Sequence, residues 1–200
     1  MNNKDVEIIR EEILFSGFFQ MKRYTLKHRL FNGSWSETLS REVLERRPIT
    51  AVIPYDPILD TVVLIEQFRP GPMANQKGSP WMIEIVAGIL DYNETPNELA
   101  CRETVEETGG NLSELMPICN FYTTPGSSCE YCHLLCGKIN SSGMGGLFGN
   151  PEEGEDIRVL VEPATEAFDR ISSGKIGSSF SIIALQWLLI NRDSLRAQWT

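Results

Sequence analysis

No run of apolar residues in this 200-residue chain is long enough to cross a bilayer. A spanning helix needs roughly 20 consecutive apolar residues. The most apolar stretch, FSIIALQWLLI at 180–190, is shorter and is interrupted by Gln186. The opening residues, MNNKDVEIIREE, lack the apolar core of a secretory signal, so a soluble cytoplasmic protein without a membrane partner is expected. Positive charge is also short: 18 Lys and Arg face 27 Asp and Glu, a net charge of -9. That balance argues against broad nucleic-acid or anionic-membrane binding, and a phosphate-bearing substrate would need cations. Cysteine is sparse and odd in number, at Cys101, Cys119, Cys129, Cys132 and Cys136. Without a secretory signal this is poor support for a disulfide framework, and reduced thiols are expected. No internal repeat is present.

What is there suits a globular fold. Hydrophobic residues make up 42% of the chain and charged ones 22%, unlike a disordered protein. The length fits one elaborate domain or one domain with an appendage. Alternation predicts strands at 20–30 and 38–46 joined by FNGSWS, whose Asn32-Gly33 pair is a hairpin signal. Pro48 ends that pattern, which places a hairpin region at 1–47 and a main domain at 48–200. TAVIPY, TVVLIEQFR and MIEIVAGI read as core strands, with more at 117–123, 130–139 and 157–161, and helices at 164–172 and 179–191. Hairpins with few helices indicate the α+β class. Residues 141–156, glycine-rich and then acidic, read as a mobile surface loop, either a solvated connection or a functional one.

The remaining helix carries the chemistry. Thr95-Pro96-Asn97-Glu98 is a capping box with proline at the first helical position, and Gly109 suits the left-handed C-terminal cap. At about 100° per residue, Glu103, Glu106 and Glu107 share one face, while Cys101, Thr104, Val105 and Thr108 lie on the other, toward the sheet. Like charges this close repel by a few tenths of a kcal/mol. Negative charge near a helix C-terminus costs roughly 0.3 to 1 kcal/mol per group. A divalent cation turns the repulsion into coordination, and an all-oxygen cluster suits Mg²⁺ or Mn²⁺. An acidic face solvated by water is the plain alternative.

The spacing around the helix is more specific. Gly88, Glu94, Arg102, Glu103, Glu106, Glu107 and Gly109 match every fixed position of G-x5-E-x7-R-E-U-x-E-E-x-G-U, where U is aliphatic. Thr104 and Gly110 depart from the pattern at two U positions. The segment resembles the signature of the Nudix hydrolases. GFF at 17–19, LFNG at 30–33, VVLIEQFR at 62–69, EIVAG at 84–88, GEDIRV at 154–159 and IALQWL at 183–188 extend the resemblance to the ADP-ribose pyrophosphatase branch.

The resemblance implies a Nudix α/β/α sandwich with an N-terminal hairpin exchanged in a homodimer. It implies Mg²⁺-dependent hydrolysis of ADP-ribose to AMP and ribose 5-phosphate, with Mn²⁺ as a substitute. By the same resemblance Glu103, Glu107, the Ala87 carbonyl and Glu155 are metal ligands, with Glu106 beside them. Glu94 and Arg102 are structural, and Glu153 in the acidic loop is the general base, with Glu152 its competitor. Arg69 is a candidate for the diphosphate, Arg46 for the diphosphate or for stacking on adenine, and Phe19 for stacking a base. Glu84 and Glu130 are weaker candidates for the nucleoside and the terminal ribose, and TTPGSS at 123–128 for shaping the ribose pocket. Each has a plainer reading as an ion pair, packing or a turn.

Cys129-Glu-Tyr-Cys132-His133 matches a haem-attachment pattern, and Cys136 nearby invites zinc. Neither is expected, because cytochrome maturation needs export and alternate strand residues face opposite sides. Buried thiols are the preferred reading. Two functional alternatives stay open: another nucleoside diphosphate sugar such as GDP-mannose, and a non-catalytic domain that senses ADP-ribose.

Overall fold

The computed structural model describes residues 1–200, the Glu153 side chain excepted. The chain divides into two compact units, Met1–Arg47 with Tyr122–Tyr131, and Pro48–Phe121 with Cys132–Thr200. The segment 122–131, read from sequence as part of the main domain, thus groups with the N-terminal region.

The first unit is a three-stranded antiparallel sheet of β1 (Val6–Ser16), β2 (Gln20–His28) and β3 (Leu39–Glu45), in that order. The hairpin β2–β3 matches the sequence reading, but β1 was not expected. Its register shifts at Ile8/Arg10 and Ile13/Phe15. Two such irregularities erase the period-2 alternation by which a strand is read. The 122–131 segment hangs on β3, with Leu44 N–H donating to the Ser127 carbonyl at 2.8 Å.

The second unit is built on an eight-stranded sheet. Its strands are β4 (Ile49–Asp56), β5 (Thr61–Phe68), β6 (Trp81–Glu84), β7 (Val86–Ile89), β8 (Glu114–Tyr122), β9 (Tyr131–Lys138), β10 (Gly146–Phe148) and β11 (Ile157–Pro163). Their order is β10-β11-β5-β4-β9-β8, with β6 on β5 and β7 on β4. MIEIVAGI, read as one strand, is two: β6 pairs with β5 and β7 with β4, changing partner at Ile85. The glycine-rich loop is not merely solvated, since it contributes β10 to the sheet edge and buries Ser141, whose N–H and Oγ meet the Asp56 carboxylate at 2.8 and 3.0 Å.

Four helices complete the unit: α1 (Pro70–Asn75), α2 (Pro96–Thr108), α3 (Ala164–Ser172) and α4 (Ser179–Trp199). Every residue of β4 is buried, and alternation sends its side chains to opposite faces. Ile49, Ala51, Ile53 and Tyr55 join Leu64, Ile85, Ala167, Leu185 and Leu188 in a core shared with α3 and α4. Val52 joins Ile65, Val86, Ala100, Leu135 and Ile157 on the α2 side. A sheet with helices on both faces is the expected α/β/α sandwich. Each fully buried aliphatic side chain stabilises it by about 1.5–3 kcal/mol. Among the described residues no helix is long and apolar enough to cross a membrane.

The β4–β5 turn is tied to α4 by charge. Asp60 sits at φ 59°, a left-handed conformation that Asp and Asn tolerate better than most residues. Its carboxylate accepts from the Tyr55 hydroxyl and from Arg192 Nε, each at 2.7 Å, and pairs a second time with Arg192 Nη2. Burial pushes the Asp60 pKa up, but the Arg192 and Tyr55 hydrogen bonds outweigh it and hold it below its ordinary value. A carboxyl with a depressed folded-state pKa contributes stability above its unfolded value, about 3.9, and loses it as pH falls through the folded value. Asp60→Asn is therefore expected to cost about 1–3 kcal/mol near pH 7 and to flatten the loss of stability below about pH 4. Urea unfolding across that pH range checks both.

Candidate active site

The site grows from the two ends of α2. Thr95 Oγ1 accepts from Glu98 N–H at 3.3 Å and the Glu98 carboxylate accepts from Thr95 N–H at 2.8 Å, so the capping box forms as read. At the other end Gly109 takes φ 70°, and a Cβ there would stand 2.6 Å from Phe148 Cε1. Both geometries demand glycine. Gly110, the departure from the signature, has an ordinary φ, but a Cβ there would meet the side-chain ends Ile139 Cδ1 at 2.6 Å and Met144 Cε at 2.7 Å. Those two side chains fill the space an aliphatic residue would take.

Arg102 organises the outer side of the helix. Its Nε and Nη2 donate to the two Glu94 oxygens at 2.9 and 3.2 Å, and its Nη1 reaches Glu106 at 2.9 Å and Glu103 at 3.0 Å. The Glu94 carboxyl is held below its usual range first by that hydrogen bond. The sequence reading grouped Glu103, Glu106 and Glu107 on one face and turned Val105 inward. The helix is rotated from that: Glu107 is buried with Thr104 and Thr108, while Val105 and Glu106 are exposed. Hydrogen bonding permits this, because Thr104 Oγ1 donates to the Ala100 carbonyl at 2.7 Å and Thr108 Oγ1 to the Thr104 carbonyl at 2.5 Å. Both hydroxyls thus enter the interface satisfied.

Glu103 lies directly over Gly88. A Cβ on Gly88 would stand 2.6 Å from Glu103 Cγ and would collide with the carboxylate itself. Glu107, 3% exposed, accepts from Ala87 N–H at 3.3 Å. Burial pushes the Glu103 pKa up to about 7, and burial followed by the neighbouring Glu103 charge drives that of Glu107 well above the carboxylate range. Glu155 repels both from the loop just before β11. Arg69 opposes this charge at Glu107 and donates through Nε to Glu84 at 2.7 Å. Glu84 is itself buried. Among the described residues no three acidic, imidazole or thiol groups are drawn to ligating distance. The donor set suits a hard divalent cation: oxygens alone, poorly solvated, and disfavoured as anions until a positive charge joins them. Glu153, the expected base, lies outside the described residues.

Two residues of this region were missed from sequence. Thr50 and Gln67 are buried, and Thr50 Oγ1 and Gln67 Nε2 have no hydrogen-bond partner. The only available signal is a polar residue in a strand that is otherwise apolar.

The first unit gathers the other candidates. The Arg46 guanidinium lies 4.9 Å over the Phe19 ring, and its Nη1 pairs with Glu130 at 2.7 Å. Thr123 Oγ1 donates to Glu130 at 2.9 Å. Arg46 and Glu130 line a cavity of ≈ 520 Å³ with Met21, Leu44, Thr124 and Ser127.

The cysteines make no such centre. Cys132 and Cys136 are buried in the core of the second unit, and burial raises the Cys136 thiol far above its ordinary pKa. Cys129 is exposed in the first unit, where its Sγ accepts from Arg46 N–H at 3.2 Å.

A helix that lays one of its C-terminal glutamates on a strand glycine, pinned by an arginine to an upstream glutamate and laid across a sandwich, defines the Nudix hydrolase class. The fold is shared with a crystal structure described as an ADP compounds hydrolase, at a TM-score of 0.72 and 18% identity, covering 97% of this chain and 96% of that one. Sequence likeness is more specific. ADP-ribose pyrophosphatase of Escherichia coli K12 is 38% identical over 195 residues, 98% of this chain and 93% of that protein. The enzyme of the same name from Haemophilus influenzae is 38% identical over 200 residues, 99% and 92%. GDP-mannose pyrophosphatase of Citrobacter koseri is 30% identical over 186 residues, 93% and 96%. No family model matches the chain. On these relatives the chain belongs to the Nudix hydrolases, in their ADP-ribose pyrophosphatase branch.

Because burial penalises the charge on Glu107, Glu107→Gln in excess chelator is expected to leave the thermal midpoint unchanged or raise it. A gain of about 1 kcal/mol corresponds to roughly 2–4 °C at this size. A sharp fall in differential scanning calorimetry would mark the acidic face as a structural ion-pair network.

Proposed function

We propose that this protein hydrolyses the diphosphate bond of ADP-ribose to give AMP and ribose 5-phosphate, with Mg²⁺ as its cofactor and Mn²⁺ able to replace it. The observation that carries the reading is the half-buried Glu103 over Gly88 with the buried Glu107 one turn on, in a chain whose 38%-identical relatives named ADP-ribose pyrophosphatase align over almost its whole length. Glu103, Glu107, Glu155 and the Ala87 carbonyl are the residues to hold the cation. When bound, it offsets charge developing on the diphosphate oxygens and acidifies the attacking water. Glu153 takes the proton from that water. Glu106, on the outer side of α2, helps set the field at Glu103 and shares Arg102 with it. Arg69, already in a charge-assisted pair with Glu84, presents its remaining donors to the diphosphate. Phe19, Arg46 and Glu130 bind the nucleoside and ribose ends, as does Glu84.

A second reading, hydrolysis of another nucleoside diphosphate sugar such as GDP-mannose, is favoured by the relatives named GDP-mannose pyrophosphatase at 30% identity. A sensing domain without catalysis is disfavoured by the complete set of Glu103, Glu106 and Glu107 on the helix. The protein is proposed to work in the cytoplasm as a homodimer, independent of nucleic acid and membrane. Dimerisation is supported by the apolar surface on and beside β1, where Ile13 and Phe15 are each 61% exposed and Phe18 85%.

Product analysis on a panel of nucleotide sugars with Mg²⁺ is expected to give the highest kcat/KM for ADP-ribose. A preference for GDP-mannose would establish the second reading. At saturating metal, Glu153→Gln is expected to lower turnover by roughly 10²- to 10⁴-fold with KM little changed, and Glu152→Gln to be mild. Near-normal turnover of Glu153→Gln excludes it as the base. Sedimentation is expected to find a dimer that Phe15→Glu weakens, and a fully active wild-type monomer would remove the dimer from the proposal.

A further inference from the structure

Thr50 is an anomaly in the centre of the sheet. It is 1% exposed, yet its Oγ1 has no hydrogen-bond partner. A buried hydroxyl left unpaired is unfavourable, and the large majority of buried side-chain polar atoms are paired. Valine would fill the same volume in a β-strand without that cost. The hydroxyl therefore calls for an acceptor that joins it in another state of the protein.

Its direction follows from the register. Ile49, Ala51 and Ile53 face the core shared with α3 and α4, so alternation turns Thr50 and Val52 toward α2. In the β4–β7 ladder Val52 pairs with Val86 and Thr50 with Gly88. Directly opposed residues point to the same face, with Cβ positions about 4.5–5.5 Å apart. The place of the missing Gly88 Cβ is taken by the Glu103 side chain, with Cγ 2.6 Å from it and the carboxylate closer still. Thr50 thus stands beside the Glu103 carboxylate, on the side away from α2's solvent-facing surface. Arg102 Nη1 already meets Glu103 Oε1 at 3.0 Å.

We infer that Thr50 is a positioning residue for Glu103: its hydroxyl donates, directly or through one water, to the Glu103 carboxylate when that carboxylate holds the divalent cation. Arg102 and Thr50 then both hold the carboxylate, and the glycine beneath leaves only the room it needs. The inference rests on the reading of Glu103 as a metal ligand. Outer partners of this kind typically contribute 10- to 100-fold in metal affinity, because they hold the ligand in its binding orientation.

The test is calorimetric titration of the whole, metal-free protein with Mn²⁺ in the absence of any nucleotide. Thr50→Val is expected to weaken Mn²⁺ binding by about 10-fold or more, and Thr50→Ser, which keeps the hydroxyl, to stay close to wild type. In excess chelator the thermal midpoint of Thr50→Val should equal or exceed that of wild type, since the unpaired hydroxyl is gone. Unchanged Mn²⁺ affinity in Thr50→Val overturns the inference, as does an equal loss in Thr50→Ser or a fall in midpoint that accompanies the loss of affinity. Glu103→Gln separates the two levels. If that variant binds Mn²⁺ like wild type, Glu103 is not a ligand and both readings fall; if it loses affinity while Thr50→Val does not, only the role of Thr50 falls.

Discussion

Burying like charges on the last turns of a helix opposes both the helix dipole and desolvation, and much of the second unit is arranged to make that tolerable. Glu103 and Glu107 are one turn apart on α2, the first half-buried and the second buried. The helix holds because its ends are fixed independently of them, by the Thr95–Glu98 capping box and by Gly109 against Phe148. Arg102 supplies the nearest positive charge and spends it on three carboxylates at once. Arg69 opposes the charge of Glu107 from the other side while paired to Glu84. What these groups leave unbalanced is an electrostatic preference for a cation, already present in the folded protein.

The sheet turns that preference into a defined place. β4 is covered on both faces, so its positions and those of β7 and β9 beside it are fixed by packing. That rigidity makes the absence of a side chain at Gly88 meaningful: Glu103 fits there because the strand beneath cannot move away. The network of Asp60, Tyr55, Arg192 and Arg196 anchors α4 to the far end of the same strand. The candidate chemistry is thus mounted on the best-packed part of the chain, while Arg46 and Glu130, read as substrate contacts on the first unit, line a cavity.

The relatives share this frame but carry two different substrate names. The acidic helix specifies cleavage of a diphosphate and is indifferent to what flanks it. The proposed substrate contacts Arg46, Phe19 and Glu130, which touch one another in this structure, are the groups in which such selectivity is to be sought.

The sequence by itself determined α2, its two caps, the pinning of Arg102 to Glu94 and the membership of the seven signature residues in one site. These are local patterns, each spanning a few turns or a short loop, and local geometry suffices to realise them. It also marked the core strands, since a continuous apolar run has nowhere else to go. It did not reveal β1, whose bulges scramble alternation, or the break at Ile85, where one apolar run serves two partner strands. It placed Val105 inside and Glu106 with its neighbours, because an ideal helical wheel cannot know that two threonines satisfy their hydroxyls along the helix and let that face turn inward. Only the tertiary structure decided that Glu103 rests on Gly88 and that Thr50 pairs with that glycine across the ladder. Those relations are set by strand register and by the angle of a helix over a sheet, and residues 15 to 53 positions apart in the chain carry no local trace of either.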